Sequence, residues 1–245
     1  MRRFAILLVI ACVALAADAP SGESLMQRFI DKSGGADSYA ATKSVIMTGT
    51  VEIVGRNISG TVTIAEAGEK SYTAMDLPGV GKLEEGFDGD NAWQMSAIEG
   101  PRILDGDEKR SIQTASSLAL MTAWKTIYKG ARTLGEDTID GLPAWKVEMT
   151  PNEGKPETFY FGKDSGLLLR VSMTLSTPLG EIPTSVTMSD YRAISGIQTP
   201  LTMTQAAMSQ NIVMHFDKVV YNTALATGQF DPPPDVKALL EKRKR

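Results

Sequence analysis

The sequence predicts a mainly β (α+β) protein built on a single, strongly curved antiparallel sheet. Three observations point there. Apolar and polar residues alternate at period two in segment after segment. Short turn signals, not helical crossovers, join those segments. The helical patterns are too few to cover both faces of ten or eleven strands, so the sheet must wrap its apolar face around a core or a cavity, with helices as a plug.

The first element is not structural. Met1-Arg2-Arg3 is followed by an almost wholly apolar run from Phe4 to Ala16, with small residues at Ala14 and Ala16. A positive start, a short apolar core and small residues at its end make residues 1–16 a secretory signal peptide, removed on export to the periplasm. The run is short for a membrane span, which needs about 20 apolar residues; no transmembrane span is expected. Cys12, the single cysteine, leaves an alternative open. Val9-Ile10-Ala11-Cys12 resembles a bacterial lipoprotein processing box, and cleavage before Cys12 would leave a lipid-anchored protein. The apolar continuation over residues 13–17 suits cleavage after Ala16 instead, which removes Cys12 and with it any thiol chemistry.

Residues 21–245 read as one domain, since nothing repeats at a fixed period and no linker-like run divides them. A helix is expected over 21–33, with Leu25, Phe29 and Ile30 on one stripe and Gly34-Gly35 as its stop. From Lys43 the period changes to two: Val45, Met47, Gly49, Val51 and Ile53 share a face, and Ile58, Gly60, Val62 and Ile64 repeat the pattern. Further strands fall at 71–75, 82–87 and 92–95, the last two joined by the hairpin signal Asp88-Gly89-Asp90-Asn91. Residues 112–128 carry Leu118, Met121, Trp124, Ile127 and Tyr128 at helical spacing, interrupted near Ser116-Ser117. Strands resume at 145–149, 158–161, 167–177, 183–191, 199–205 and 211–221, and a short helix over 235–245 ends the chain.

Hydrophobic residues make up 42% of the chain and charged residues 22%, a globular composition; the formal net charge of −4 lacks the basic footprint of a nucleic-acid binder. Catalytic machinery is not recognisable. His215 is the only histidine and sits on a strand with the parity of Val213, Asp217 and Val219, so a zinc site would rest mostly on carboxylates, which zinc rarely accepts. Neither a nucleophile elbow nor a phosphate-binding glycine loop occurs. Asp88, Asp90 and Asp107 read as solvated turn residues, and the basic end from Lys237 to Arg245 as a solvated helix end. No enzyme activity, cofactor or metal is expected.

Methionine carries more information. Met173, Met188, Met203 and Met214 sit near the middle of the last four strands, with Leu169 and Val171 on the parity of Met173 and Phe216 on that of Met214. Met suits a surface that adapts to varied apolar shapes, so alignment of these strands would make a band that is either ordinary core or an adaptable cavity wall. Trp93, Met121, Trp124 and Phe216 complete the candidate ligand-binding set with the four strand methionines.

Several stretches together carry a resemblance: Gly86-Phe87-Asp88-Gly89 with Ala92-Trp93, then Asp140-Gly141-Leu142-Pro143-Ala144-Trp145, Phe159-Tyr160-Phe161 with Ser165-Gly166-Leu167-Leu168, Asp190-Tyr191-Arg192 with Gly196-Ile197-Gln198-Thr199-Pro200, and Phe230-Asp231-Pro232. Their order resembles the outer-membrane lipoprotein-sorting group, the LolA/LolB-like proteins, which includes sensor domains like that of RseB. The resemblance implies an open, half-barrel sheet of about eleven strands whose helices close a hydrophobic cavity. It implies non-enzymatic binding of acyl chains of lipids or lipoproteins in the periplasm. The polar latch residues of the known carriers have no match here, and none is carried over. A sensor or interaction module of the same fold, binding a transient envelope protein partner, is the alternative.

Overall fold

The computed structural model describes residues 19–115, 117–177 and 180–243. The expected signal peptide, Cys12 and the final two residues lie outside them. The elements run α1 Gly22–Ser33, α2 Ala36–Ala40, β1 Val45–Ile53, β2 Ile58–Ala67, β3 Lys70–Leu77, β4 Gly81–Phe87, β5 Ala92–Ser96, β6 Gly100–Leu104, α3 Gly106–Ala115, α4 Ser117–Ile127, β7 Tyr128–Ile139, β8 Leu142–Pro151, β9 Glu157–Gly162, β10 Leu168–Thr177, β11 Gly180–Ile194, β12 Ile197–Ala207, β13 Gln210–Tyr221 and α5 Pro234–Arg243.

All the strands join one 13-stranded sheet in the order β6-β5-β4-β3-β2-β1-β13-β12-β11-β10-β9-β8-β7. Two meanders, β1–β6 and β7–β13, meet where β1 pairs antiparallel with β13. The sheet does not close: its two edges are β6 and β7, the strands on either side of α3–α4. The chain therefore leaves one edge, runs through two helices and enters the other edge. That connection lets α3 touch β3, β4 and β5 on one half and β10 on the other, bridging the concave side.

The strand count exceeds the expected eleven because β6 and β7 lack a period-two signature. β6 is five residues long and carries Pro101, whose missing N–H suits an edge strand. β7 contains Gly130 and Gly135, its register shifts at Tyr128/Gly130 and Thr133/Gly135, and most of its side chains are exposed. Tyr128, expected at the end of a helix, is its first residue. The expected central helix is two, and α3 starts earlier, at Gly106.

Two further bulges decide which side chains face inward. Between β9 and β10 the register shifts at Leu168/Arg170: Leu168 faces Phe161 in the core, while Leu169 packs outside with Ile139 and Ala144. This corrects the expectation that Leu169 shares a face with Met173. Between β1 and β13 the shift lies at Thr48/Gly49, so His215 pairs with Thr50 while Val219 pairs with the buried Met47. The alternation read through His215 and Val219 is broken there.

The core lies on the concave side. α1 closes one end of it, burying Leu25, Met26, Phe29 and Ile30 against β7, β8 and β12, with the Phe29 and Phe161 rings 5.7 Å apart. Its start is capped by Ser21, whose Oγ accepts the Ser24 N–H at 3.2 Å. At the seam of the two halves, Phe216 is 0% exposed beside Gly49, where a Cβ would stand 1.9 Å from the His215 carbonyl oxygen. Only glycine lets β13 come that close. Among the described residues, no helix is long and apolar enough to cross a membrane.

Candidate functional site

Cross-strand register turns the methionine spacing into a surface. Met188 lies opposite Met203, Met203 opposite Met214, and Met214 opposite Val51, so three methionines share one rung. Met173 lies opposite Thr184, on the same face of β11 as Met188 but four residues away along that strand. Above this rung, under α4, is an apolar cavity of about 220 Å³. Met121, Met173, Met188 and Met203 line it, together with Leu118, Phe159, Leu168 and Val171.

The other four sequence candidates do not line it. Met214 (8% exposed) and Phe216 are packed core, and so is Trp124 on α4. Trp93 is on the opposite face of the sheet: it shares an outward rung with Tyr72, Gly86 and Ile103, with its ring 6.1 Å from that of Tyr72. It is 1% exposed, on a strand that α5 touches, and its indole N–H has no partner.

The tyrosines of the cavity wall are each hydrogen-bonded. Tyr128 Oη donates to Glu157 Oε2 at 2.7 Å, Tyr191 Oη to the Leu168 carbonyl at 2.6 Å, and Tyr39 Oη to the Ser33 carbonyl at 3.3 Å. The Tyr221 and Thr199 hydroxyls are 2.7 Å apart. Burial pushes the Tyr39 phenol up to about 12, and the Ser33 hydrogen bond only partly offsets it. Burial also holds the Glu157 carboxyl above its usual range, against the Tyr128 hydrogen bond. What remains facing the hollow is mostly apolar, which suits a hydrocarbon guest.

The two helices over this hollow are fastened differently. α4 buries Leu118, Leu120 and Trp124, and its Leu118 N–H donates at 3.2 Å to the buried Glu66 carboxylate of β2. A carboxylate there also meets the positive end of the helix dipole. On α3 the described side chains are all at least partly exposed. It is held by polar ties: Arg110 to Glu153 at 3.0 Å; Glu108 to Arg102 of β6 at 2.7 Å; Lys109 Nζ to the Asp90 carbonyl at 2.6 Å; Ser176 Oγ to Asp107 at 3.2 Å. Ile112 adds one apolar contact with Phe87, Ala92 and Leu104. Few buried contacts leave α3 more weakly held than α4.

On one side of α3 lies a cleft of about 660 Å³, which shares Ser111, Met173 and Val186 with the inner cavity. On the other side a groove of about 560 Å³ shares Thr114 and Leu118 with it. Sequence reasoning missed the first part of α3, since Gly106-Asp107-Glu108-Lys109-Arg110 has no apolar stripe. A groupable signal existed in its charge pattern alone: Asp107 and Arg110 are three residues apart, one helical turn.

His215 is half-exposed on the outer face, its Nδ1 3.2 Å from the Thr202 hydroxyl. Asp88 closes the expected hairpin, accepting the backbone N–H groups of Asp90 and Asn91 at 2.8 and 2.7 Å. No group of three or more His, Cys, Asp and Glu among the described residues is placed to hold a metal ion.

No family model matches the sequence, and no curated protein matches it. Solved structures do resemble it. A LolA superfamily protein from Nitrosomonas europaea superposes with a TM-score of 0.57 at 10% identity, covering 87% of this chain and 99% of its own. A DUF1329 family protein from Desulfovibrio piger gives 0.56 at 16% identity, covering 87% and 98%. A domain from Vibrio parahaemolyticus named for outer membrane lipoprotein sorting gives 0.55 at 14% identity, covering 90% and 98%. At such identities the likeness is one of fold: the chain has the fold of the LolA superfamily, with thirteen strands in its open sheet.

Proposed function

We propose that this chain of LolA-type fold is a periplasmic, non-enzymatic carrier of the acyl chains of lipids or lipoproteins. One observation supports this most: a methionine-walled hollow is kept unfilled beneath two helices, and the tyrosines of its wall are already hydrogen-bonded. Burying hydrocarbon there gains about 0.8 kcal/mol per methylene. A chain of roughly 15 methylenes gains on the order of 12 kcal/mol before the costs of binding, with no hydrogen-bond code needed.

The inner cavity at about 220 Å³ is smaller than the roughly 300–1,000 Å³ of ligand pockets in general. The adjoining cleft falls within that range, and α3 stands between the two. Uptake in this reading needs α3 to shift outward so that both spaces become one. The unbranched, adaptable Met173 side chain at the joint accommodates chains of differing shape.

The test is native mass spectrometry of the protein purified from its own envelope, paired with uptake of a fluorescent fatty acid by the emptied protein. A co-purified acylated ligand and saturable uptake are the expected results. Empty protein together with no uptake would sink the carrier reading.

A further inference from the structure

The strands at the β6 edge invert the usual pattern. On β5 and β6 the inward side chains include Gln94 and Arg102, while Trp93 and Ile103 point outward. Glu85 of β4, paired with Gln94 across the ladder, also faces inward. A sheet that places charge inside and tryptophan outside departs from the economy of folding, and such departures concentrate at functional sites.

These residues form one wall of the cleft of about 660 Å³. The facing wall, from β10, β11 and β12, presents Met173, Leu175, Ile182 and Val186 among the polar Ser176, Thr177, Thr184 and Gln205. The polar wall is wired internally. Arg102 donates to Gln94 Oε1 at 3.2 Å and to Glu108 Oε1 of α3 at 2.7 Å. Gln94 spends its oxygen on Arg102 and its amide N–H on Glu85. Arg102 is thus committed to Glu108, and Glu85 has an amide donor but no cation. Burial pushes its carboxyl above the usual range, and the Gln94 hydrogen bond works against that. Glu85, Glu99 and Glu108 stand against Arg102 alone on this wall. A carboxylate or phosphate head is repelled here; a protonated amine supplies the charge that Glu85 lacks.

We propose that this cleft is a head-group subsite for an amphiphile bearing a protonated amine, with Glu85 accepting the ammonium and the β10–β11 wall covering the first part of the tail. The tail continues past Met173 and Val186, which line both spaces, into the inner cavity. The proposal rests on the acyl-carrier reading and narrows its cargo.

The experiment separates the two. The mature protein is loaded at neutral pH with the neutral apolar dye N-phenylnaphthylamine, which is then displaced by dodecylamine, dodecanol or dodecanoate, three ligands with one tail and different heads. Dodecylamine should displace the dye at roughly tenfold lower concentration than dodecanoate, the size expected of one charge-assisted hydrogen bond. Glu85→Gln should shrink that gap to under about threefold while leaving dodecanol unchanged, and the outward, exposed Glu52→Gln should leave the gap intact. Equal displacement by all three heads overturns the head-group subsite and leaves acyl binding standing. Absence of dye binding overturns the carrier reading and this proposal with it. The wild-type comparison of heads needs no variant, so a poorly folding Glu85→Gln protein does not shelter the idea.

Discussion

If α3 gates the hollow, removing its polar ties must speed entry. Arg110→Ala deletes the pairs with Asp107 and Glu153 without touching a cavity-lining side chain of the inner hollow. Arg110 is about one-third exposed and Glu153 mostly exposed, so each pair contributes in the range of about 0.2–1 kcal/mol. Asp107 lies on α3 itself, so only the Glu153 pair holds the helix down, by about 0.5 kcal/mol, and its loss raises the open fraction about twofold. When opening precedes binding, the observed on-rate scales with that fraction. Stopped-flow association of a fluorescent fatty acid should therefore run about twofold faster in Arg110→Ala than in the wild type. Raising salt should speed the wild type more than the variant, since screening weakens the Glu153 pair that the variant lacks while the Arg102–Glu108 pair is screened in both. An unchanged or slower on-rate in Arg110→Ala, with the fold intact by circular dichroism, would refute the gate.

Three other outcomes follow from the packing. Gly49→Ala sets a Cβ 1.9 Å from the His215 carbonyl at the seam of the two meanders; urea denaturation should show a loss of more than about 2 kcal/mol, and a loss under about 0.5 would remove Gly49 from the seam argument. Glu157 has its carboxyl raised by burial, so the stability tied to its neutral form is complete below the unfolded value and lost as pH rises through the folded one. Thermal melts of Glu157→Gln should thus fall less than the wild type's as pH rises above about 4.5; parallel profiles would contradict the burial of that carboxyl. Trp93→Phe should leave acyl-probe affinity within about twofold, because an outward indole with an unpaired N–H touches no cargo. A tenfold loss would return Trp93 to the cavity wall.

The comparison of sequence and structure is instructive at Met188, Met203 and Met214. Their alignment was legible because strands joined by short turns keep a register that residue counting can follow. The same counting failed at Leu169 and Val219, where a bulge inserts one residue and moves everything beyond it to the other face. It failed at β6 and β7 because edge strands carry little hydrophobic alternation. Trp93 was misplaced for a different reason. Hydrophobicity says that a tryptophan seeks cover, not which face provides it, and at this edge Tyr72 and the neighbourhood of α5 provide cover outside. The inward Glu85, Gln94 and Arg102 were invisible as a group, since only the ladder brings β4, β5 and β6 side by side.

Energetics bear on why the hollow exists. Protein interiors pack like organic crystals, and an unfilled apolar space forfeits contacts at about 24 cal/mol per Å³. For a cavity of about 220 Å³ that is on the order of 5 kcal/mol, similar to the whole net stability of a marginal domain. Filling it would take only larger side chains at Met173, Met188 or Met203, and the sequence instead places its most compliant side chain at all three. The lost contacts are recovered when a guest enters. Bound hydrocarbon should therefore raise the melting temperature steeply, with a gain that grows with chain length until the joined spaces are full. A melting temperature indifferent to chain length would mean that the guest lies on the surface and not in the hollow.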